Sequence, residues 1–282
     1  MSSIPAVPNR DARATSPSSR HEAQAQPQSV YGAIRHRRVS VTDFAKAKQV
    51  DEKWTMVTAY DALMAGLLDE AGVPALLVGD SAAMVVLGHT STLPITMDEL
   101  VVLTAAVVRG SERALVVADL PFGSYQESPQ QALRSATRFM KESGAHAVKL
   151  EGGHRVTPQI RTLVEAGIPV MAHIGLTPQS VNAIGGYRVQ GRGEDGHRLV
   201  EEALAVQEAG AFAVVVEVVP QDLAERITKE LDIPTIGIGA GSGTDAQVLV
   251  WQDLLGLTPG KAPKFVRPYA DLRSVILDAV AA

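Results

Sequence analysis

The stretch Ala145-His-Ala-Val-Lys-Leu-Glu-Gly-Gly153 is short and apolar, and a segment of helical periodicity lies on each side of it. That combination reads as a buried parallel strand. Side chains alternate across a strand, so Lys149 and Glu151 share one face while Val148 and Leu150 take the other. Opposite charges on a buried face are costly unless each finds a partner, so a structural ion pair is one reading of Lys149 and Glu151. The pair also precedes Gly152-Gly153 at the C-terminal end of the strand, where parallel α/β folds bind ligands. What favours the second reading is that neighbouring strands end in the same way.

Working outward, the pattern becomes regular from Trp54. Strands are expected at 54–59, 75–79, 114–118, 145–151, 169–172, 212–216 and 234–238, with a weaker eighth around Val248 to Gln252. Helices are expected between them, the first capped by Asp61, and a closing helix near 270–280. The phrases Glu70-Ala-Gly-Val-Pro74 and Glu165-Ala-Gly-Ile-Pro169 end a helix on Gly and enter a strand through Pro. Eight such alternations predict a (β/α)8 TIM barrel, an α/β fold. A doubly wound open sheet would carry a phosphate fingerprint after its first strand, and Thr58-Ala-Tyr-Asp61 is not one. The glycines at 237, 239, 241 and 243 have the wrong spacing for a dinucleotide loop and read as close backbone packing or a substrate-facing loop.

The chain has 282 residues, a net charge of −5 and no Cys. It is long enough for one large barrel or two smaller domains. The mild negative charge argues against a general nucleic-acid binder. Without Cys there are no disulfides, thiolate zinc sites or cysteine nucleophiles. No apolar run approaches the roughly 18 residues of a membrane span. Residues 1–29 are rich in Ser, Pro, Gln and Ala and read as a disordered N-terminal extension, leaving 30–282 as a single catalytic barrel domain. Asp11 and Glu22 count against a transit peptide, and the first residues lack the apolar core of a secretory signal. The basic cluster Arg35-His-Arg-Arg38 reads as a solvated face rather than a nucleic-acid contact.

Strands two to six end in turn on Asp80, Asp119, Glu151, His173 and Glu217. A barrel gathers these ends around one mouth. One acidic strand end reads as a helix cap, but four acids and a histidine in succession exceed what capping explains. Carboxylates crowded at one mouth repel one another unless a cation or shared protons relieve them. Hard oxygen donors, no thiolates and a single nearby His favour Mg²⁺ or Mn²⁺ over Zn²⁺. A remaining carboxylate is then available as a base and Lys149 for an anionic substrate group. Such a site suits proton abstraction beside a metal-chelated carbonyl, as in a lyase, an aldolase or an enolising transferase. A scaffold protein would leave these buried acids without a purpose.

Seven motifs carry a family resemblance. They are Val78-Gly-Asp-Ser81, Gly88-His-Thr-Ser-Thr-Leu-Pro-Ile-Thr96, Ala118-Asp-Leu-Pro-Phe-Gly-Ser-Tyr125, Val148-Lys-Leu-Glu-Gly-Gly153, Ala172-His-Ile-Gly-Leu-Thr-Pro-Gln179, Gly185-Gly-Tyr-Arg-Val-Gln-Gly-Arg192 and Ile236-Gly-Ile-Gly-Ala-Gly241. In unbroken order from Val39 to Tyr269, they make the chain resemble the ketopantoate hydroxymethyltransferase family. The resemblance implies a barrel of the phosphoenolpyruvate/pyruvate type. It also implies hydroxymethyl transfer from 5,10-methylenetetrahydrofolate to 3-methyl-2-oxobutanoate, giving 2-dehydropantoate for pantothenate synthesis, with Mg²⁺ as cofactor. On the same resemblance, Asp80 and Asp119 match direct Mg²⁺ ligands beside the substrate, and Glu151 a third acid acting through a water. Ser81 and Lys149 match the groups that hold the substrate carboxylate, His173 a substrate-side hydrogen-bonding partner, and Glu217 the general base. The implied enzyme is cytoplasmic and a homo-oligomer, a decamer in the family, with small-molecule substrates and neither nucleic-acid nor membrane partners. The alternative is a related Mg²⁺-dependent barrel lyase acting on another 2-oxo acid or a phosphonate. Such enzymes usually offer a Cys near the mouth. The family pattern continues into a tail ending near Phe-Pro…Glu-His-Ser-Phe, without a counterpart in this sequence, and the stretch before Val39 is longer than the pattern requires.

Overall fold

A computed structural model describes residues 29–31, 37–260 and 262–282. The expected extension over 1–29 therefore lies, Ser29 apart, outside the described residues, as do Arg35 and His36. Eight parallel strands close into a barrel in sequence order. They are β1 (Trp54–Thr58), β2 (Ala75–Val78), β3 (Leu115–Asp119), β4 (Ala147–Glu151), β5 (Val170–Gly175), β6 (Ala213–Glu217), β7 (Thr235–Ile238) and β8 (Ala246–Leu249). Among the described residues no helix is long and apolar enough to cross a membrane.

Local chemistry sets the punctuation. Asp61 caps the helix Ala62–Glu70 by accepting the Met64 N–H at 2.9 Å, and Ser128 caps Pro129–Arg138 through the Gln131 N–H. Thr96 and Glu99 form a reciprocal capping box at the start of Met97–Gly110. At both Ala-Gly-Ile/Val-Pro phrases the glycine is left-handed (Gly72 at φ 90°, Gly167 at φ 82°), and the next N–H reaches back to close the helix. Those bonds are Val73 to Leu68 and Ile168 to Leu163, both 3.0 Å.

Alternation along the strands divides the core in two. Val116, Val148, Leu150, Ala172, Val214 and Val216 pack outward against the surrounding helices. Met56, Leu77, Val117, Ala147, Met171, Val215 and Ile236 fill the lumen. The lumen is closed at the N-terminal end by the helix Val41–Gln49. Its Phe44 stacks on Trp54 with ring centroids 4.2 Å apart, and Lys48 pairs with Asp245 at 2.8 Å. Arg38 is no solvated charge: its guanidinium donates to the carbonyls of Ser111 and Ala114 at 2.6 and 2.7 Å.

Several boundaries differ from the sequence reading. β8 starts at Ala246 rather than Val248, because Asp245 accepts the Thr235 N–H and fixes the entry to the strand. Gln252 is not in a strand: the Trp251 N–H is taken by Thr58 Oγ1 at 3.0 Å, and a short helix, Trp251–Leu254, begins there. β5 runs on to Gly175, which pairs with Glu217, so His173 lies within the strand rather than at its end. β2 stops at Val78, so Asp80 sits on the turn into the short helix Ala82–Val85. The Asp80 N–H leaves the ladder to donate to Asp119 Oδ2 at 3.0 Å.

Because Phe44 belongs to the closed end and not to the mouth, Phe44→Ala is expected to lower unfolding stability by about 3 kcal/mol. Below the unfolding temperature the circular-dichroism spectrum should match that of the unaltered protein. Denaturant melts and spectra measure both quantities.

Candidate active site

The lumen face of strands β3 to β6 is apolar at the bottom and polar at the top. On β3 the order is Leu115, Val117, Asp119; on β4 Ala147, Lys149, Glu151; on β5 Met171, His173; on β6 Ala213, Val215, Glu217. Register brings the polar ends level, with Asp119 opposite Lys149 and Glu151 opposite His173. A cavity of about 360 Å³ opens above them. All seven residues expected from the sequence line it: Asp80, Ser81, Asp119, Lys149, Glu151, His173 and Glu217.

Two chains of contacts organise these groups. Lys149 Nζ lies 2.8 Å from Asp119 Oδ1, and that ion pair is buried, with side chains 5% and 4% exposed. Asp119 Oδ2 in turn accepts the Asp80 N–H. On the other side, His173 stands between two acids, with Nδ1 3.5 Å from Glu151 and Nε2 3.1 Å from Glu217. Lys149 Nζ is 3.3 Å from the same Nδ1 and joins the two chains. Lys149 thus pairs with Asp119 across the β3–β4 ladder, and not with Glu151 on its own strand. The Ser81 hydroxyl is held by Tyr60 OH at 2.8 Å.

Close backbone approach sets the position of Glu217. A Cβ on Gly175 would come within 2.4 Å of the Glu217 carbonyl oxygen, so only glycine admits β6 this close. The next residue, Val218, is at φ 48°, a left-handed conformation unfavourable for a β-branched side chain. It is held there by the Val218 N–H on Ile238 O at 2.8 Å and by the Gln190 N–H on its own carbonyl at 2.9 Å. Strain of this kind clusters at functional sites.

The charges shift one another in opposite directions. Burial, then the charges of Asp119 and Glu151, push the Asp80 carboxyl well above its usual range. Burial also raises Asp119, with Lys149 opposing it. Burial would raise Glu151 too, but its hydrogen bond to His173 and the charges of His173 and Lys149 hold it below. Burial and Lys149 act to lower His173, yet Glu151 and Glu217 lift it to about 9.

The set fits a divalent cation. Four acidic groups face one ammonium and one imidazole, so acids outnumber bases by two at the mouth. Asp80 and Asp119, linked through the Asp80 N–H, present hard carboxylate oxygens suited to Mg²⁺. Among the described residues no three His, Asp or Glu side chains already form a metal-holding group. A cation bound here would complete its shell with water and substrate oxygens, as Mg²⁺ commonly does.

Several groups in or around the site carried no signal in the sequence reading. Gln179 and Tyr125 lie beneath the acids, Tyr60 behind Ser81, and Tyr187 enters from the glycine-bearing loop. Gln179, Tyr125 and Tyr187 each fall within a quoted motif, which was the one available pointer to them.

A family model described as ketopantoate hydroxymethyltransferase matches residues 38–282. The chain belongs to the ketopantoate hydroxymethyltransferase family. It is therefore an enzyme, a transferase of hydroxymethyl groups. Relatives named 3-methyl-2-oxobutanoate hydroxymethyltransferase include one from Streptomyces avermitilis, 63% identical over 254 residues, covering 90% of this chain and 88% of the relative. One from Thermobifida fusca is 61% identical, covering 89% of each chain. Among solved structures, a 2,3-dimethylmalate lyase of the PEP mutase/isocitrate lyase superfamily superposes with a TM-score of 0.57 at 18% identity, covering 86% of this chain and 85% of its own. A phosphonopyruvate hydrolase in complex with oxalate and Mg²⁺ gives a TM-score of 0.59 at 13% identity, covering 86% and 84%. At those identities the structures share the barrel fold and nothing finer.

The raised His173 pKa has a stability consequence. A group that binds its proton more tightly when folded contributes fully below its unfolded value, near 6.5, and loses that contribution as pH rises through about 9. The melting temperature of the metal-free protein should therefore fall between pH 6.5 and 9. That fall should be visibly smaller in His173→Gln, as calorimetry across the range would register.

Proposed function

We propose that this chain transfers the one-carbon unit of 5,10-methylenetetrahydrofolate to C3 of 3-methyl-2-oxobutanoate, with water, giving 2-dehydropantoate and tetrahydrofolate. The observation that carries this reading is the meeting, in one cavity, of an acid pair beside Lys149 with a separate acid, Glu217, reached only through His173. A site divided in this way offers one half for the oxo-acid head and the other for the reacting carbon.

Asp80 and Asp119 would hold Mg²⁺, with Glu151 as the third acid of the site. When bound, the cation supplies Lewis-acid stabilisation of the negative charge that grows on the substrate's 2-oxo oxygen. Lys149, kept charged by Asp119, and the Ser81 hydroxyl, steadied by Tyr60, bind the substrate carboxylate. His173 faces the substrate and orients Glu217. Glu217 takes the C3 proton. Water cleaves both C–N bonds of the folate's methylene, giving tetrahydrofolate and a one-carbon unit at the level of formaldehyde. C3 bonds to that carbon, and its oxygen takes up the proton to become the hydroxyl. The lyase alternative is disfavoured by the relatives' names at about 60% identity and by the absence of any Cys.

On the same reading the working enzyme is a cytoplasmic homo-oligomer. The exposed Leu63 and Leu67 of the helix 62–70 and Val102 of the neighbouring helix 97–110 are apolar side chains that a second copy would cover.

Two measurements test the assignment. Asp119→Ala removes a carboxylate from the cation and strands Lys149, so Mg²⁺ binding by calorimetry and turnover should both be lost. Mg²⁺ binding at wild-type strength would rule out the metal role. Glu217→Gln keeps the size and removes the basicity. It should slow Mg²⁺-dependent hydrogen exchange at C3 of 3-methyl-2-oxobutanoate, followed by NMR without folate, by about 10²- to 10⁴-fold. Exchange at the wild-type rate would show that another group takes the proton.

A further inference from the structure

Gln179 follows β5 in the short 3₁₀ turn Pro178–Ser180, and both its backbone N–H and its carboxamide reach acids of the site. Its backbone N–H donates to Glu151 Oε2 at 3.0 Å. Its Nε2 donates to Asp80 Oδ2 at 2.9 Å and to the Leu120 carbonyl at 3.0 Å. Its Oε1 accepts from Tyr125 OH at 2.8 Å and from Gln126 Nε2 at 3.1 Å. The amide orientation follows from the acceptors on one side: a flipped carboxamide would set its oxygen against Asp80 Oδ2 and the Leu120 carbonyl. Tyr125 is fixed in turn, because its hydroxyl accepts the Glu151 N–H at 3.1 Å.

On the functional reading given above, we propose that Gln179 is a positioning residue that holds Asp80 ready for the divalent cation. Asp80 stands on a turn beyond β2, not in the ladder, so its backbone alone does not fix its carboxylate. Gln179 engages one oxygen, Oδ2, and leaves the other to the cavity. Through its backbone N–H, the same residue ties Glu151, at the end of β4, to this arrangement. One buried residue, through its side chain and its backbone N–H, thereby sets the spacing of two acids that repel each other and come from non-adjacent strands. Outer-shell partners of metal ligands act in this way, and their loss typically weakens metal binding by about 10- to 100-fold.

The experiment titrates Mg²⁺ into full-length, metal-free protein by calorimetry, with and without 3-methyl-2-oxobutanoate, and records the melting temperature of each variant with and without Mg²⁺. Gln179→Met removes the carboxamide at similar length and keeps the backbone N–H. Tyr125→Phe removes only the hydroxyl that orients Oε1. The expected result is about 10- to 100-fold weaker Mg²⁺ binding for Gln179→Met, a smaller loss in the same direction for Tyr125→Phe, and a reduced thermal shift on adding Mg²⁺. A merely structural bridge would lower the metal-free melting temperature and leave Mg²⁺ affinity within twofold of wild type, which overturns the proposal. If Gln179→Met does not fold, Tyr125→Phe decides by the same criterion. Wild-type protein that binds no Mg²⁺ overturns the functional reading as well. Wild-type binding with unchanged variants overturns the role of Gln179 alone.

Discussion

The ion pair between Lys149 and Asp119, 2.8 Å long and buried in the barrel lumen, is the interaction on which the mouth of this protein depends. Two charges removed from water are expensive, and removing either one alone leaves the other uncompensated. The pair persists because the β3–β4 ladder puts the two residues opposite each other before any side chain moves. Asp119 then has one oxygen left for the Asp80 N–H, and Lys149 stands near enough to His173 to link the two acidic halves. Each further group of the site takes its place relative to this pair. A rigid closed sheet suits the purpose, since parallel strands hold their register by evenly spaced hydrogen bonds.

The barrel keeps stability and chemistry at opposite ends. At the N-terminal end, Phe44 on Trp54, Lys48 on Asp245 and Arg38 on two carbonyls close the lumen with apolar packing and satisfied polar groups. The charged groups there, Lys48 and Arg38, are matched by acceptors of the chain itself. At the other end four carboxylates exceed the two basic groups that face them, and Val218 is held in an unfavourable backbone conformation. This local imbalance is what a divalent cation would relieve, and the apolar layers beneath supply the stability it draws on.

Much of this arrangement was legible in the chain because it follows from period-two alternation. Once β3, β4 and β6 are recognised as strands, Asp119, Lys149, Glu151 and Glu217 must share the lumen face, and closure of the sheet must bring them together. Other features carry no periodicity. Asp80 reads as a strand end, yet it sits on a turn whose N–H is captured by Asp119. The end of β5 and the start of β8 depend on Glu217 pairing with Gly175 and on Asp245 bonding to Thr235, contacts between residues distant in the chain or across a turn. Gln179, Tyr125 and Tyr60 are neutral polar residues of loops and loop margins, and nothing in their local sequence sets them apart from residues facing solvent.

The sequence by itself determined the strand and helix alternation, the closed parallel barrel and the list of charged residues at its mouth. Alternation and helix-ending glycines are local properties, and a parallel barrel has one ligand-binding end. Only the tertiary structure decided which charges pair. Lys149 turns to Asp119 on the next strand and not to Glu151 on its own, His173 stands between Glu151 and Glu217, and Gln179 reaches Asp80 across 99 positions of sequence. Pairing in a buried site is set by distances of a few ångströms between side chains of different elements, and those distances exist only after the loops have folded over the closed sheet.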